Sequence, residues 1–284
     1  MISQSIAKLV SCMGQPVAGN PTGFMMEAAF AAAGLDWRYI TMEVPAEGLA
    51  DAVRGMRAMG FRGGNFTIPH KVAVIEHLDG LTEAAGLMGA VNCVYRDGQR
   101  LIGENTDGKG FVQSLAEIAD PANKSVTILG AGGAARAIAV ELALAGARRI
   151  DVVNRSHGRG KSLVELLDNS SRLSSPVRLL PWAQDHRVAV ETEILINATS
   201  IGLGDEAARV PIDTTTFRPG LVVADVIFNP AETLLLKQAR DAGCTVLDGL
   251  GMLVNQGVIS FKTWTGIDPD PQVMRSALEE YLGI

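Results

Sequence analysis

The stretch Val126-Thr127-Ile128-Leu129-Gly130-Ala131-Gly132-Gly133-Ala134-Ala135-Arg136-Ala137-Ile138 constrains this chain more than any other. It reads as a short apolar strand that turns on glycines directly into a helix. The small residues fall as Gly130-x-Gly132-x-x-Ala135, the dinucleotide-binding fingerprint with alanine in its third place. The three positions in turn give a tight turn, close approach of backbone to a pyrophosphate, and close packing of helix on strand. Unpaired N–H groups and the positive end of the helix dipole then hold the phosphates. A glycine-rich turn alone also serves packing. Here a β-branched strand precedes it, and the helix that follows carries Ala135, Ile138, Ala139 and Leu142 on one face with Arg136 and Glu141 off it. Gly130, Ala131, Gly132, Gly133 and Ala134 are therefore expected to cradle a nucleotide.

At 284 residues the chain is long enough for two domains with separate cores. A net charge of −6 argues against nucleic acid, which attracts a basic face. Lys8 is followed only by a short apolar run, residues 9–13, so no signal peptide is expected. No apolar run approaches the roughly 18–20 residues of a membrane span. Cys12, Cys93 and Cys244 are scattered, which suits a reducing, cytoplasmic setting better than a disulfide framework. His70, His77, His157 and His186 show no ligand spacing with them, so no metal site is expected. The Gly-x-Ser-x-Gly elbow of α/β hydrolases is absent.

Along the chain, strands at 8–13 and 37–44 alternate with helices at 24–33 and 45–59, the α/β signature. Next, Gly63-Gly64-Asn65-Phe66-Thr67-Ile68-Pro69-His70-Lys71 reads as a strand ending in polar residues, then a proline opening a helix. Lys71 lies in its first turn, against the dipole; it is either a solvated lysine or one held for proton transfer. A short helix at 81–87 precedes a hairpin, 90–95 with 100–103, turning on Asp97-Gly98. Asp107, like Thr106, reads most simply as the N-cap of a helix over 110–118. Residues 120–123 look like a joint. Beyond the fingerprint helix, a strand at 149–153 ends in Asn154-Arg155-Ser156-His157-Gly158-Arg159. An acidic residue at that tip would bind a ribose hydroxyl and favour NAD, whereas arginine suits the 2′-phosphate of NADP. Asp151 lies too early in the strand, and Arg155 and Arg159 sit at and just past its tip, so NADP is favoured over NAD. Strands at 193–196, 221–226 and 244–247, a helix at 232–242, a helix carrying Gln256 and a last helix at 272–282 complete the reading.

Taken in order, these blocks resemble the shikimate and quinate dehydrogenase family over essentially the whole chain. The matching pieces are Gly14-Gln15-Pro16, Asn65 through Lys71, Gly89-Ala90-Val91-Asn92, Asn105-Thr106-Asp107-Gly108 and the fingerprint. They continue with Asn154-Arg155-Ser156, Asn197-Ala198-Thr199, and Asp248-Gly249-Leu250-Gly251-Met252-Leu253 through Gln256. The resemblance implies a two-domain α/β protein with a cleft: a substrate domain of residues 1–107 plus 250–284 and a Rossmann-type parallel-sheet domain of residues 108–249. It implies reversible hydride transfer between nicotinamide and a ring hydroxyl or ketone of shikimate or a related cyclic hydroxy acid, as in aromatic amino acid biosynthesis, by a monomer or homodimer. Lys71 and Asp107 match the catalytic pair. Asn20, Thr22, Asn65, Thr67, Asn92, Phe228 and Gln256 match substrate positions. Asn154, Arg155, Ser156, Arg159, Thr199, Gly249 and Met252 join the fingerprint residues as cofactor positions.

Three departures cluster. Where the family has Ser-x-Ser or Ser-x-Thr to bind the substrate carboxylate, this chain has Asn20-Pro21-Thr22, and where it often has tyrosine this chain has Phe228. A lost neutral hydrogen bond is worth about 0.5–1.5 kcal/mol and one to a charge more, so shikimate is expected to be a poor substrate. The alternatives are a quinate dehydrogenase and, from another class, a non-catalytic dinucleotide-binding regulator, against which Lys71 and Asp107 speak.

Overall fold

The computed structural model describes residues 7–170, 173 and 175–284. They form two units, one of the chain up to Thr106 with Gly257–Ile284 and the other of Asp107–Gln256. Asp107, Met252 and Gln256 thus lie in the second unit, whereas the family resemblance implies joints at 107/108 and 249/250.

The first unit runs β1 (Lys8–Gly14), α1 (Thr22–Ala32), β2 (Trp37–Glu43), α2 (Leu49–Ala58), β3 (Gly63–Phe66), α3 (His70–Ala73), β4 (Gly80–Leu81), α4 (Glu83–Met88), β5 (Cys93–Asp97) and β6 (Arg100–Glu104). Its six strands lie in the order β2-β1-β3-β5-β6-β4, parallel through β1–β3 and antiparallel across β3/β5 and β5/β6. The expected helix at 45–59 is one 3-10 turn, Ala46–Gly48, followed by α2. Leu49, Val53 and Met56, one helical face, are buried with Phe66, Val91, Val94 and Leu101. Strand β4 carries no sequence signal, being two residues long.

Gly63 shows why this sheet needs a glycine. A Cβ there would sit 2.2 Å from the Val94 carbonyl and 2.5 Å from Trp264 Nε1; its absence lets Trp264 lie on the sheet and donate to that carbonyl at 2.9 Å. Ser11 is the opposite case. It is fully buried and its Oγ has no partner. An unpaired buried hydroxyl costs about 1–3 kcal/mol. Ser11→Ala is expected to stabilise the protein by about 1 kcal/mol, raising Tm by about 2 °C, a shift that calorimetry would register; an unchanged or lower Tm would contradict it.

The second unit runs α5 (Thr106–Ala116), β7 (Ser125–Leu129), α6 (Gly133–Leu144), β8 (Arg149–Asn154), α7 (His157–Asp168), β9 (Val177–Pro181), β10 (His186–Arg187), β11 (Ile194–Asn197), β12 (Ile212–Asp213), β13 (Val222–Asp225), α8 (Leu234–Asp241), β14 (Thr245–Leu247) and α9 (Leu250–Thr265), whose last residues, like α10 (Pro271–Leu282), belong to the first unit. Its main sheet is wholly parallel in the order β14-β13-β11-β7-β8-β9, a doubly wound Rossmann arrangement built outward from β7. Every residue of β7 is buried, as both faces of a parallel sheet are covered.

Two expectations are corrected here. Asp107 lies within the first turn of α5, one turn earlier than the expected start, so it is not an N-cap ahead of the helix. Glu141, read as lying off the apolar face of α6, is buried all the same. The reason is Gly108, where a Cβ would stand 2.4 Å from the Ala137 carbonyl oxygen and 2.8 Å from Glu141 Cγ; α5 covers the side of α6 that carries Glu141. No described helix is long and apolar enough to cross a membrane.

Candidate functional site

The fingerprint occupies the carboxyl end of β7. Gly130 has φ +107°, and its N–H donates to the Val153 carbonyl at 2.8 Å. A Cβ there would be strained and only 3.0 Å from the Ala198 carbonyl oxygen. Gly132 and Gly133 differ: a Cβ on either meets nothing within 4 Å. Both line a cavity of about 470 Å³ with Gly130, Ala131 and Ala134. Gly132 is the N-cap of α6 and supplies no side-chain partner, so the helix start offers its N–H groups toward that space. Ala135, fully buried, seats the helix against the sheet. The cavity lies at the carboxyl ends of β7, β11 and β13, where the strand order reverses. Backbone donors, open space and a switch point fit a dinucleotide pyrophosphate.

Asn154, Arg155 and Arg159 line the same cavity. Asp151 does not serve a ribose: it is buried and accepts from Arg178 Nε at 2.7 Å and Nη2 at 2.8 Å and from Arg149 Nε at 3.2 Å. The tip of β8 therefore offers guanidinium groups and no carboxylate, the arrangement that suits the 2′-phosphate of NADP. Ser156 stands outside the lining; its Oγ accepts from the Arg159 N–H at 3.4 Å as N-cap of α7, and Asn154 Nδ2 donates to its carbonyl at 2.8 Å. These contacts hold the arginine loop.

Trp182 is a lining residue that sequence reasoning does not single out. It follows β9, a strand without a clear signal, and lines both this cavity and an adjoining one of about 140 Å³ shared with Arg155 and His157. Its Nε1–H donates to the Pro211 carbonyl at 2.8 Å, which fixes the ring. The chain has 3 tryptophans, and Trp37 and Trp264 lie in the other unit. NADPH binding is expected to quench tryptophan emission, and Trp182→Phe to remove most of that quenching. Equal quenching in both proteins would place the cofactor elsewhere.

The far wall comes from the ends of β11 and β13. Asn197 Oδ1 accepts from the Thr199 hydroxyl at 2.7 Å, and Asn197 Nδ2 donates to Asp225 at 3.0 Å. Asp225 also accepts from the Thr233 hydroxyl at 2.8 Å and the Ile227 N–H at 3.1 Å. Burial pushes its carboxyl up to about 6, against the opposing pull of these donors. Phe228 follows this turn and lines the cavity beside Thr199, so the position read for substrate faces the same space as the fingerprint. Gly249 supports the turn from behind, since a Cβ would stand 2.5 Å from the Val226 and Ile227 backbone. Neither Gly249 nor Met252 is among the lining residues. Met252 and Gln256 are on α9, which lies so close to α5 that a Cβ at Gly110 would be 2.6 Å from the Gln256 nitrogen. Gln256 is buried, and its Nε2 donates to the Leu253 carbonyl at 3.0 Å.

The first unit holds the remaining candidates. Asn20 Oδ1 accepts from the Thr22 N–H at 2.9 Å and its Nδ2 points to Cys12 Sγ at 3.7 Å, so this carboxamide anchors the start of α1. Thr22 is buried. Burial pushes the Cys12 thiol up to about 11, opposed by the Tyr39 hydroxyl and the charge of Lys71, which lies within electrostatic reach. Asn65, on β3, accepts from the Tyr39 hydroxyl at 2.8 Å and donates to the Asn92 carbonyl at 3.0 Å. Asn92 in turn grips Thr106, accepting from its N–H at 2.7 Å and donating to its Oγ1 at 3.0 Å. Thr67 lies over Gly14, where a Cβ would be 2.3 Å from Thr67 Cγ2. The Lys71 carbonyl accepts from the Val91 N–H at 2.7 Å, tying α3 to the segment that ends in Asn92. Asn20, Asn65 and Lys71 are thus gathered around Cys12.

Comparison with known proteins matches this layout part by part. Residues 12–94 match the shikimate dehydrogenase substrate binding domain, residues 113–202 the shikimate/quinate 5-dehydrogenase family and residues 249–279 the shikimate 5′-dehydrogenase C-terminal domain. The shikimate dehydrogenase (NADP⁺) of Geobacter metallireducens is 41% identical over 273 residues, 94% of each chain. Ligand-free 5-ketofructose reductase of Gluconobacter sp. strain CHM43 superposes with a TM-score of 0.94 at 50% identity, covering 97% of this chain and 99% of that one. Shikimate 5-dehydrogenase of Listeria monocytogenes, in complex with shikimate and NAD, superposes with a TM-score of 0.90 at 33% identity, covering 98% and 99%. With the fingerprint cavity, the arginine-lined strand tip and these matches end to end, the chain belongs to the shikimate dehydrogenase family and is an NAD(P)-dependent oxidoreductase acting on a CH–OH group, with NADP as the favoured cofactor.

Proposed function

We propose that this enzyme is a cytosolic NADP-dependent reductase of a neutral polyhydroxy ketone of the 5-ketofructose kind, and that shikimate is a poor substrate. The observation that carries this reading is the carboxamide of Asn20: its Oδ1 accepts from the Thr22 N–H at 2.9 Å and its Nδ2 points to Cys12 Sγ at 3.7 Å, so at most one N–H remains for a substrate carboxylate, from a group tied to the start of α1, where the family's pattern has a serine hydroxyl. Phe228 adds no hydroxyl. 5-Ketofructose has no carboxylate to anchor, and the structural likeness to its reductase supports the same substrate class. NADP(H), when bound, supplies or accepts the hydride. In the reducing direction Lys71 would deliver the proton to the substrate carbonyl oxygen, with Asp107 as the second member of the catalytic pair that the family resemblance implies. The first unit binds the substrate through Asn65, Thr67 and Asn92, and the second binds the cofactor.

A second reading, shikimate itself, draws on the 41%-identical shikimate dehydrogenase. Initial rates with 5-ketofructose and NADPH, set against shikimate and quinate with NADP⁺ and NAD⁺, separate the two. A hydrogen bond to a charged group is worth about 1.5–3 kcal/mol, so losing one or two leaves shikimate with a kcat/KM about 100-fold or more below that of 5-ketofructose. Equal or better turnover of shikimate would overturn the reading.

A further inference from the structure

The residues that bind Asn65 are more fully built than a plain sheet requires. Tyr39 sits on β2, two strands from β3, and its hydroxyl reaches across β1. The register allows this: Val10 pairs with Tyr39 and Cys12 with Asn65, and residues two apart on β1 share a face. The Tyr39 ring is clamped. Trp264 packs against it at 6.2 Å between centroids, a Cβ on Gly23 would lie 3.3 Å from it, and Glu27 accepts from the Tyr39 backbone N–H. Burial raises its phenol well above the ordinary value, so the hydroxyl stays a donor.

The carboxamide of Asn65 has one carbonyl and two N–H groups. The Asn92 carbonyl can only accept, so Nδ2 must face it and Oδ1 must face Tyr39. One N–H of Nδ2 remains without a partner among the described residues. An Asn buried to this degree, with its orientation set from two sides, presents a donor and not an acceptor.

We propose that Tyr39 is a positioning residue: it fixes the Asn65 carboxamide so that its second N–H is the donor offered to an oxygen of the substrate. The inference rests on the reading of Asn65 as a substrate ligand. An N–H donor suits a hydroxyl or ketone oxygen, which a neutral polyhydroxy substrate supplies in abundance. Without the hydroxyl, Oδ1 loses its partner and the amide plane is free to turn.

The test is steady-state kinetics of Tyr39→Phe, Asn65→Ala and the double variant, with NADP(H) and whichever of 5-ketofructose and shikimate the wild type turns over faster. One well-placed hydrogen bond corresponds to about a tenfold change. Tyr39→Phe is expected to raise KM for the substrate about tenfold, with kcat within a factor of about two and NADPH affinity unchanged. The double variant is expected to be no worse than Asn65→Ala alone, because Tyr39 acts through Asn65. Additive losses, an unchanged KM in either single variant, or a joint fall in kcat, cofactor affinity and Tm in Tyr39→Phe would overturn the proposal. Choosing the faster substrate keeps it separate from the reading of function: a wild type inactive on 5-ketofructose defeats that reading and leaves Tyr39 testable on shikimate.

Discussion

Replacing Lys71 with methionine is expected to lower kcat about a thousandfold while NADPH binds with near wild-type affinity. Methionine keeps the length of the side chain and removes the ammonium group that would donate to the substrate oxygen. Proton transfer by a positioned side chain contributes about 10²–10⁴ to rate, which sets the size of the loss. The fold should persist, because the contact that ties α3 down is made by the Lys71 carbonyl, which receives the Val91 N–H at 2.7 Å. NADPH affinity should persist because Lys71 is not among the residues that line the fingerprint cavity. Stopped-flow reduction of 5-ketofructose, paired with NADPH titration by fluorescence, reads both quantities. A variant that retains a tenth or more of kcat would remove Lys71 from the chemistry.

Asp225→Asn is expected to reshape the pH dependence of stability. The folded carboxyl titrates at about 6 and its ordinary value is 3.8. Between those values the folded state binds more protons than the unfolded state, so stability falls as pH rises. The stabilisation relative to the ionised form is fully present below the ordinary value and is lost as pH passes the folded value. The step from 3.8 to about 6 corresponds to about 3 kcal/mol across pH 4–6. Asparagine does not titrate, so the stability difference between the variant and the wild type should move by about that amount over the same window and level off above it. Urea unfolding at half-unit pH steps measures this directly; parallel curves for the two proteins would show that Asp225 does not titrate in the window. The same carboxylate joins Asn197 and Thr233 beside the fingerprint cavity, so altered NADPH affinity in the variant is a second consequence to watch.

How legible the site is in the sequence depends on whether a residue acts locally. The fingerprint needs Gly130 at a positive φ and open space before Gly132 and Gly133, conditions set within a few residues of chain. The arginine tip of β8 is likewise local, following directly from a strand that the β-branched run predicts. Trp182 escapes sequence reasoning because nothing adjacent in the chain marks it; only the pairing of β8 with β9 brings it to the cavity. Asp151 shows the reverse case. It sits near the spacing of a ribose-binding acid, yet the neighbouring strands supply Arg149 and Arg178, which engage it instead.

Sequence alone determined the α/β class, the nucleotide unit built outward from β7, and the blocks that place the chain in its family. These follow from hydrophobic period, glycine spacing and turn chemistry, each of which acts over a handful of residues. Only the tertiary structure decided that Glu141 is buried, that the Asn20 carboxamide is bound within its own unit, and that the Tyr39 hydroxyl meets Asn65. The physical reason is the same in each instance. Burial and hydrogen-bond partnership are set by what packs across the gap, Gly108 of α5 onto α6, Cys12 of β1 beside Asn20, and β2 across β1 to β3, and that information is held by residues far apart in the chain.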